Sequence, residues 1–567
     1  MRKLYISIFS LLSSVGLFSQ KIAWQRDVKS STQDILSHVV TTIDGQVLVG
    51  GSSIKPADVQ SLGTNQNNGY DYHIIKIDQQ GSKLWEKYFS GNQNDYLNSS
   101  IAAQDGSFLI AGTTYSTLTG DKIEKSFGGS DMWIIKVDEN GEEQWQRTIG
   151  TRQNEEARAV IQTTDLNFIV AGSTNNSKLS FGQKDVFIVK LDQKGKILSQ
   201  LILGGSGTDE VEHIIATKDG GTLLGIYSRS PKEDLAPKSE ISNQDFQKQG
   251  SSNISEENKA STTEIVKSNT TSNKNEPSED FNISFYAKQS EHYGGGDYWL
   301  VKLNKDGKVE WEKTFGGKDD DHIKTLSLTD SGYIIGGESR SSTSGNKKAS
   351  LKEGTDLWLI SLDEAGNEVW QKSYSFGNRD ILMSLNNIQN KELKTKGFLI
   401  GGYTQAEEKQ KKDDETFWML YIDSKGEEVW RKHIEGESRK NQERLTGAIL
   451  TKDGSYILAG TSAEELGKEN WKILKLKDAQ VEDLMDNRAI QIYPNAVKDY
   501  CYVEIGVDFS EADLLVYDMT GRLIQQTKTK NKVTKLNTGI LPQGTYIIKA
   551  QTNNQQSQQL STKIIKE

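Results

Sequence analysis

Asp131-Met132-Trp133-Ile134-Ile135-Lys136-Val137-Asp138-Glu139-Asn140-Gly141-Glu142-Glu143-Gln144-Trp145 is the stretch that decides the fold of this chain. It sets one tryptophan third in a segment that opens on aspartate, and another four residues past a glycine. Both slots recur. The first holds Trp133, Trp299, Trp358, Trp418 and Trp471, with His73 and Phe187 as substitutes. The second holds Trp24, Trp85, Trp145, Trp311, Trp370 and Trp430, with Ser199 as the exception. All 11 tryptophans fall in these fourteen places, which marks a seven-fold internal repeat.

One full unit reads as four strands separated by turn chemistry. They are Ala157 to Thr164, Phe168 to Ser173 (ending in Ala171-Gly172), Asp185 to Asp192, and Lys196 to Gly204. Each is short, rich in branched or aromatic residues, and bounded by glycine, asparagine or aspartate, which are strand signals. Asp44-Gly45, Asp105-Gly106, Asp219-Gly220 and Asp453-Gly454 supply hairpin corners that tolerate positive φ. Outside an expanded fourth unit, successive first-slot positions lie 53 to 60 residues apart. Four antiparallel strands at that period predict an all-β, seven-bladed β-propeller. The chain enters with a lone fourth strand at Trp24 and leaves with a lone third strand at Trp471. Those two half-blades are expected to complete one blade and close the ring, leaving no open edge.

The bulk numbers narrow the classes of partner. A chain of 567 residues divides into more than one unit. Its net charge of −10 argues against nucleic acid as an electrostatic partner. Cys501 is the single cysteine, so no internal disulfide or cysteine-based metal cluster is possible. Residues 1–20 carry Arg2 and Lys3 before an apolar run and read as a secretory signal peptide cut between Gln20 and Lys21. No transmembrane segment is expected in the mature chain. The propeller is expected over 21–477, a linker over 478–487, and a small β-sandwich over 488–567.

Length variation falls between the second and third strands of each unit. In the fourth unit this connection expands to about 229–296, a Ser/Asn/Lys/Glu-rich insert expected to be disordered. Connections of this kind share one propeller face, where loops rather than tight turns would carry function.

Ten residues before the Asp of the Asp-Gly corner an acid recurs: Asp34, Asp95, Glu155, Asp209, Asp320 and Glu443, with Asp380 in the irregular sixth unit. These acids would form a ring that holds a cation or polar ligand, or each would accept N–H bonds from its own turn. Repetition in every unit favours the second, structural role. A site should instead break the symmetry. The deviating residues on the inner strands are His38, Arg158, His213, His322, Lys324 and Arg444. Of these, His38, Arg158, His213, Lys324 and Arg444 are candidate ligand contacts at the channel face. The chain has no His-Glu-x-x-His, Gly-x-Ser-x-Gly, P-loop or calcium loop, so no catalytic residue, metal or cofactor is assigned.

The repeat over about 21–477 resembles the tryptophan-containing units of exported Bacteroidota propeller proteins, a likeness that implies fold and no activity. The C-terminal module closely resembles the type A C-terminal sorting domain of the type IX secretion system. The matching pieces are Tyr493-Pro494-Asn495, the Val516–Arg522 strand and turn with Asp518 and Gly521, Gly544 and Tyr546, and the terminal Lys563-Ile564-Ile565-Lys566-Glu567. That resemblance implies an Ig-like sandwich, export through the Sec system, recognition by the type IX machinery, and secretion or display at the outer-membrane surface. Two functions stay open for the ring. One is a non-enzymatic scaffold for an unknown glycan or protein ligand; the other is a polysaccharide-acting enzyme with an asymmetric polar site at the channel.

Overall fold

The computed structural model describes residues 21–28, 34–42, 44–55, 69–232, 241–242, 282–390, 392–405, 415–434, 444–451, 453–463, 469–485, 490–493, 496–507, 509–553 and 559–567. The expected signal peptide, much of the fourth-unit insert, Glu443, Pro494 and Asn495 lie outside these residues. The fold is all-β and propeller-like. Among the described residues, 21–477 form seven sheets, antiparallel apart from one added strand, and 490–567 form two more.

Within each of the first six sheets the four repeat strands run in simple sequence order. The second sheet, for example, pairs Asp95–Ala102, Phe108–Thr114, Asp131–Val137 and Glu143–Ile149. The seventh takes three strands from the end of the repeat region and its outer strand from the N-terminus. Lys21–Val28 pairs antiparallel with Glu469–Lys477, from Lys21 opposite Lys477 to Val28 opposite Trp471. First strands of neighbouring sheets touch, and the last returns to the first.

Packing follows the same cycle. Trp133 and Ile135 of the second sheet share a core with Tyr72 and Ile74 of the first. Equivalent cores join each later pair, and Trp471 and Ile473 of the seventh sheet pack against Val49 and Ile75 of the first. The first-slot tryptophans are fully buried in these cores. Five of the six second-slot tryptophans do something different, lying on the left-handed glycine of the next sheet's turn; Trp430 instead meets Tyr421 and Lys432. A Cβ on Gly81, Gly195 or Gly366 would sit 2.8 Å from Trp24, Trp145 or Trp311, so only glycine admits the ring. The indole Nε1 then donates to a carbonyl of that turn, Trp24 to Gln79 at 3.1 Å, Trp85 to Glu139 at 3.0 Å and Trp145 to Gln193 at 2.9 Å.

One expectation is corrected. The insert is not wholly unstructured, because Asn282–Ala287 forms a strand. It adds in parallel to the free edge of Ile197–Gly204 in the third sheet. Ile283 is fully buried there and Phe285 meets Phe181 edge-on. That edge carries Ser199 where other sheets carry tryptophan, and the alternating Ile283, Phe285 and Ala287 supply apolar cover instead. The connector also holds structure. Ala479–Leu484 is a short helix capped by the Asp478 side chain, with Val481 buried against the sixth and seventh sheets.

In the C-terminal module a three-stranded sheet (Ile490–Tyr493, Tyr500–Ile505, Val533–Asn537) packs on a four-stranded one (Ala512–Asp518, Leu523–Thr529, Gly544–Thr552, Gln559–Lys566). Cys501, Val503 and Leu536 meet Leu514, Val516 and Ile548 in one core. This module rests on the tight-turn face of the large domain. Gln79 donates to Val533 O (3.2 Å) and accepts from Lys532 N (3.1 Å), so its amide caps a sheet edge as a strand would. Lys535 Nζ reaches Glu139 at 2.6 Å.

Trp24 joins the N-terminal strand to the first sheet's turn, so its loss should weaken ring closure. Trp24→Ala is expected to cost about 2–3 kcal/mol, less than the roughly 3–5 kcal/mol expected for the fully buried Trp358→Ala. The denaturation midpoint should fall in both variants at an unchanged m-value. An unmoved midpoint for Trp24→Ala would show that the N-terminal strand does not secure the ring.

Candidate functional site

Every inner strand carries a β-bulge at the same place. The register slips between Leu36 and His38, Leu97 and Ser99, Ala157 and Ala159, Val211 and His213, Ile323 and Thr325, Leu382 and Ser384, and Leu445 and Gly447. The extra residue in each case is Ser37, Asn98, Arg158, Glu212, Lys324, Met383 or Thr446, and all seven line one channel of about 1180 Å³. A bulge re-aims a side chain, and here it sends one residue per sheet to a common collar. Only three of the seven are charged, Arg158, Glu212 and Lys324, and they come from consecutive sheets.

Glu212 is the centre of that arc. It accepts from or pairs with His322 Nε2 at 3.0 Å, Lys324 Nζ at 3.8 Å and Arg158 Nη2 at 3.9 Å. Burial pushes its carboxyl up, but His322, Lys324 and Arg158 together outweigh this and hold it below the usual range. The His322 ring stacks on Tyr227 at 4.2 Å, and the Tyr227 hydroxyl donates to Asp320 at 2.6 Å. Arg229 Nε donates to the same hydroxyl at 2.8 Å. A connected polar path thus runs from the loops to the collar.

The structure brings Arg158 and Lys324 together as candidates, through a glutamate that was not singled out. His38 and His213 also line the channel but belong to another cluster. His38 Nδ1 meets Ser100 Oγ at 3.1 Å, and burial followed by the nearby His213 pushes it down to about 4. Burial likewise lowers His213 to about 4, against the opposing pull of Glu212. The side chain of Arg444 lies outside the described residues.

The repeated acids are anchors. Asp95 accepts from Gly91 N, Thr114 and Ser116; Glu155 from Thr151 N, Thr151 Oγ1 and Thr174; Asp209 from Gly205 N and Ser230; Asp380 from Phe376 N and Thr404. Asp34 is buried at the equivalent place. In the fifth sheet the anchor is Asp321, not Asp320: it accepts from Gly317 N, Ser339 and Ser341. The turn there closes Thr329 N on Gly332 O, one residue shorter than Ala103 N on Ser107 O, so counting ten back lands one residue early.

Three buried lysines escaped the sequence reading. Lys122, Lys288 and Lys347 each sit within the field of two buried aspartates, Asp95 and Asp131, Asp209 and Asp297, or Asp321 and Asp356. Lys288 Nζ donates to Ser230 O at 2.9 Å and Lys347 Nζ to Ser341 O at 2.8 Å, tying down the loops. Their signal was a lysine nine residues before the aspartate that opens the third strand.

Among the described residues no group of three or more His, Cys, Asp or Glu is placed to hold a metal, and no helix is long and apolar enough to cross a membrane.

In the small domain, Asp518 accepts from Thr520 N and Arg522 N at 3.0 Å around Gly521, whose φ is +87°. Gly544 opens its strand at φ +154°, and the Tyr546 hydroxyl donates to Pro542 O at 2.8 Å. Tyr493 donates to Glu504 at 3.1 Å, and Lys563 is exposed. Residues 491–567 match the secretion system C-terminal sorting domain. This type IX sorting domain marks the chain for secretion to the cell surface.

No curated protein matches the chain. Among solved structures, it is similar to a protein of unknown function from Bacteroides caccae at 14% identity, covering 69% of this chain and 93% of that one, with a TM-score of 0.32. The WD40 domain of SCAP from fission yeast aligns at 7% identity over 81% of this chain and 99% of its own, with a TM-score of 0.34. The polysaccharide lyase Uly1 aligns at 8% over 80% and 99%, with a TM-score of 0.38. These scores are too low to carry an argument, and the propeller-like arrangement rests on strand pairing.

Burial pushes Glu155 up to about 7, and Asp95 and Asp380 up to about 6. Burial also pushes Asp165 and Asp219 up, but hydrogen bonds, notably from Lys190 and Lys302, outweigh it and hold both at about 2. Between about pH 4.5 and 7 these three carboxyls keep protons that the unfolded chain has lost, so their contribution falls as pH rises; His38 and His213, lowered from 6.5 to about 4, oppose it and leave the net fall shallow. Below about pH 4 the depressed aspartates must be protonated, and stability falls again. Thermal melts should therefore peak near pH 5. Glu155→Gln should flatten the upper flank and raise the melting temperature at pH 8. A wild-type melting temperature that climbs from pH 5 to 8 would contradict the buried-carboxyl account.

Proposed function

We propose that this chain is a secreted or cell-surface binding scaffold whose seven sheets are the blades of one closed seven-bladed β-propeller. In this reading residues 488–567 form an Ig-like sandwich that addresses the chain to the type IX secretion machinery, after a signal peptide over 1–20. The ring presents its channel and loop-rich face to a glycan or protein ligand. The observation that carries this reading is the collar: seven equivalent bulges aim seven different side chains into one channel, with charge confined to one arc. A purely structural ring has no need of that asymmetry.

Binding is favoured over catalysis by the state of the ionisable groups. A general acid or base works best with a pKa near the operating pH. His38 and His213 are held near 4, and Glu212 below the usual carboxylate range. The path Asp320–Tyr227–His322–Glu212 is the observation that supports the second reading, a polysaccharide-acting enzyme.

The full chain should bind at least one member of a panel of glycans and extracellular proteins saturably in calorimetry, and Glu212→Gln should weaken that binding. Reducing ends and ultraviolet-absorbing unsaturated sugars should not accumulate on prolonged incubation with polysaccharides. Product that forms with wild type and vanishes with His322→Ala would overturn the scaffold in favour of the enzyme.

A further inference from the structure

We infer that the sorting domain docks only on a large domain whose N-terminal strand is in place, so that a seated tail marks a completed fold. The inference goes beyond ligand binding and stands whatever the channel holds. It rests on the pairing of Lys21–Val28 with Glu469–Lys477.

The docking site straddles the sheets where the two ends of the large domain meet. Asp453 and Lys475 of the seventh sheet and Gln79 of the first line one small pocket with Glu504 and Lys532 of the sorting domain. On the second sheet, Gln104 O accepts from the Tyr500 hydroxyl at 3.3 Å, and Glu139 takes Lys535 at 2.6 Å. Tyr502 alternates with the core residues Cys501 and Val503, so it lies on the outer face of its own sheet. It is nevertheless only 4% exposed, and a Cβ on Gly106 of the second sheet would stand 3.6 Å from its hydroxyl. The large domain covers that face.

Gln79 is the joint between this contact and the N-terminal strand. Its amide donates to Val533 O and accepts from Lys532 N, two bonds that require a single orientation of the side chain. Nε2 also donates to Asp44 O at 2.6 Å, which helps to fix that orientation. The backbone of the same turn is held by the N-terminal strand. Gln79 O accepts from Trp24 Nε1 at 3.1 Å, and Arg26 Nε donates to Gly81 O at 2.9 Å. The turn is therefore gripped on one side by Trp24 and Arg26 and grips the sorting domain with the other. Without the strand it loses the indole resting on Gly81 and the bonds from both residues.

Such coupling is reciprocal: a seated sorting domain must also hold the N-terminal strand. The pairing sets Lys21 opposite Lys477, so it forms only after the whole of the large domain has been made. The address domain is thus held in one pose by the finished large domain and let go by an unfinished one.

Carbodiimide cross-linking of the full chain reads the seated state, because it joins Lys535 to Glu139 directly at their 2.6 Å contact. The Lys302–Asp219 pair of the fourth sheet, at 2.7 Å, serves as a folding control. Gln79→Ala should lower the Lys535–Glu139 product about fivefold or more with the control unchanged. Trp24→Ala should do the same, although its indole packs and bonds on the first sheet's turn. Arg26→Ala, a milder change, should act in the same direction. In return, Lys535→Glu should speed amide exchange across 21–28 about fivefold or more. A Lys535–Glu139 product that persists in both Trp24→Ala and Arg26→Ala would overturn the coupling, as would one that persists in Gln79→Ala. Exchange across 21–28 that ignores Lys535→Glu would overturn it too. If Trp24→Ala also loses the Lys302–Asp219 product, that variant has unfolded and Arg26→Ala decides. Unprotected amides across 21–28 in the wild-type chain would instead remove the closed ring, and the coupling with it.

Discussion

The bulge in each inner strand is the constraint on which the rest of the structure depends. An extra residue at the centre of a sheet edge swells the backbone, and the adjoining strand must give way. It does so with glycine. A Cβ on Gly112, Gly172 or Gly337 would lie 2.0, 1.8 or 2.1 Å from the carbonyl of Tyr96, Glu156 or His322. The recurring Ala-Gly and Gly-Gly pairs of the second strands are therefore the mates of the bulge. Because the bulged residue pairs with nothing, its side chain is free to differ from sheet to sheet. Architecture and variability are thereby separated by a single position along the strand.

The same inner strands are pinned at their upper ends by buried carboxyls. Holding an acid such as Glu155 or Asp95 away from water is unfavourable for the ionised form, as their raised pKa values record. The surrounding hydroxyls and N–H groups recover part of that cost, and in three sheets a buried lysine adds its field. At the opposite end of four of the seven sheets the balance reverses. Lys136, Lys190, Lys302 and Lys475 reach the corner aspartates Asp105, Asp165, Asp219 and Asp453 at 2.7–3.0 Å. One end of the ring is thus held by carboxyls that resist ionisation and the other by carboxylates that depend on it.

How much of this the sequence disclosed follows from what each residue reports. Tryptophans at fixed offsets report sheet order, because an indole wedged between sheets or laid on a turn glycine has few substitutes. The pairing of Lys21–Val28 with Glu469–Lys477 was legible for that reason. Ala171-Gly172 was read as a strand end; only register reveals it as the partner of a bulge. Glu212 was hidden by the same ignorance of register. It sits in the run Asp209-Glu210-Val211-Glu212, where nothing local distinguishes one acid from the next. Ser199 was visible as an exception. Its complement, the strand Asn282–Ala287, lies more than eighty residues away inside a polar insert, and no periodicity links the two. Long-range compensation of this kind leaves no pattern in a single chain.

The two faces of the large domain then acquire different duties from their turn chemistry. Asp-Gly and Asp-x-x-Gly turns are short and vary by a single residue, as at Thr329–Gly332 against Ala103–Ser107. On that face Gln79, Gln80 and Glu139 receive the sorting domain, with Gln79 occupying an otherwise open strand edge. The opposite face gathers the longer connections. A module that docks on the turns leaves those connections uncovered. Docking and ligand access therefore need not compete, since each uses the end of the blade whose backbone suits it.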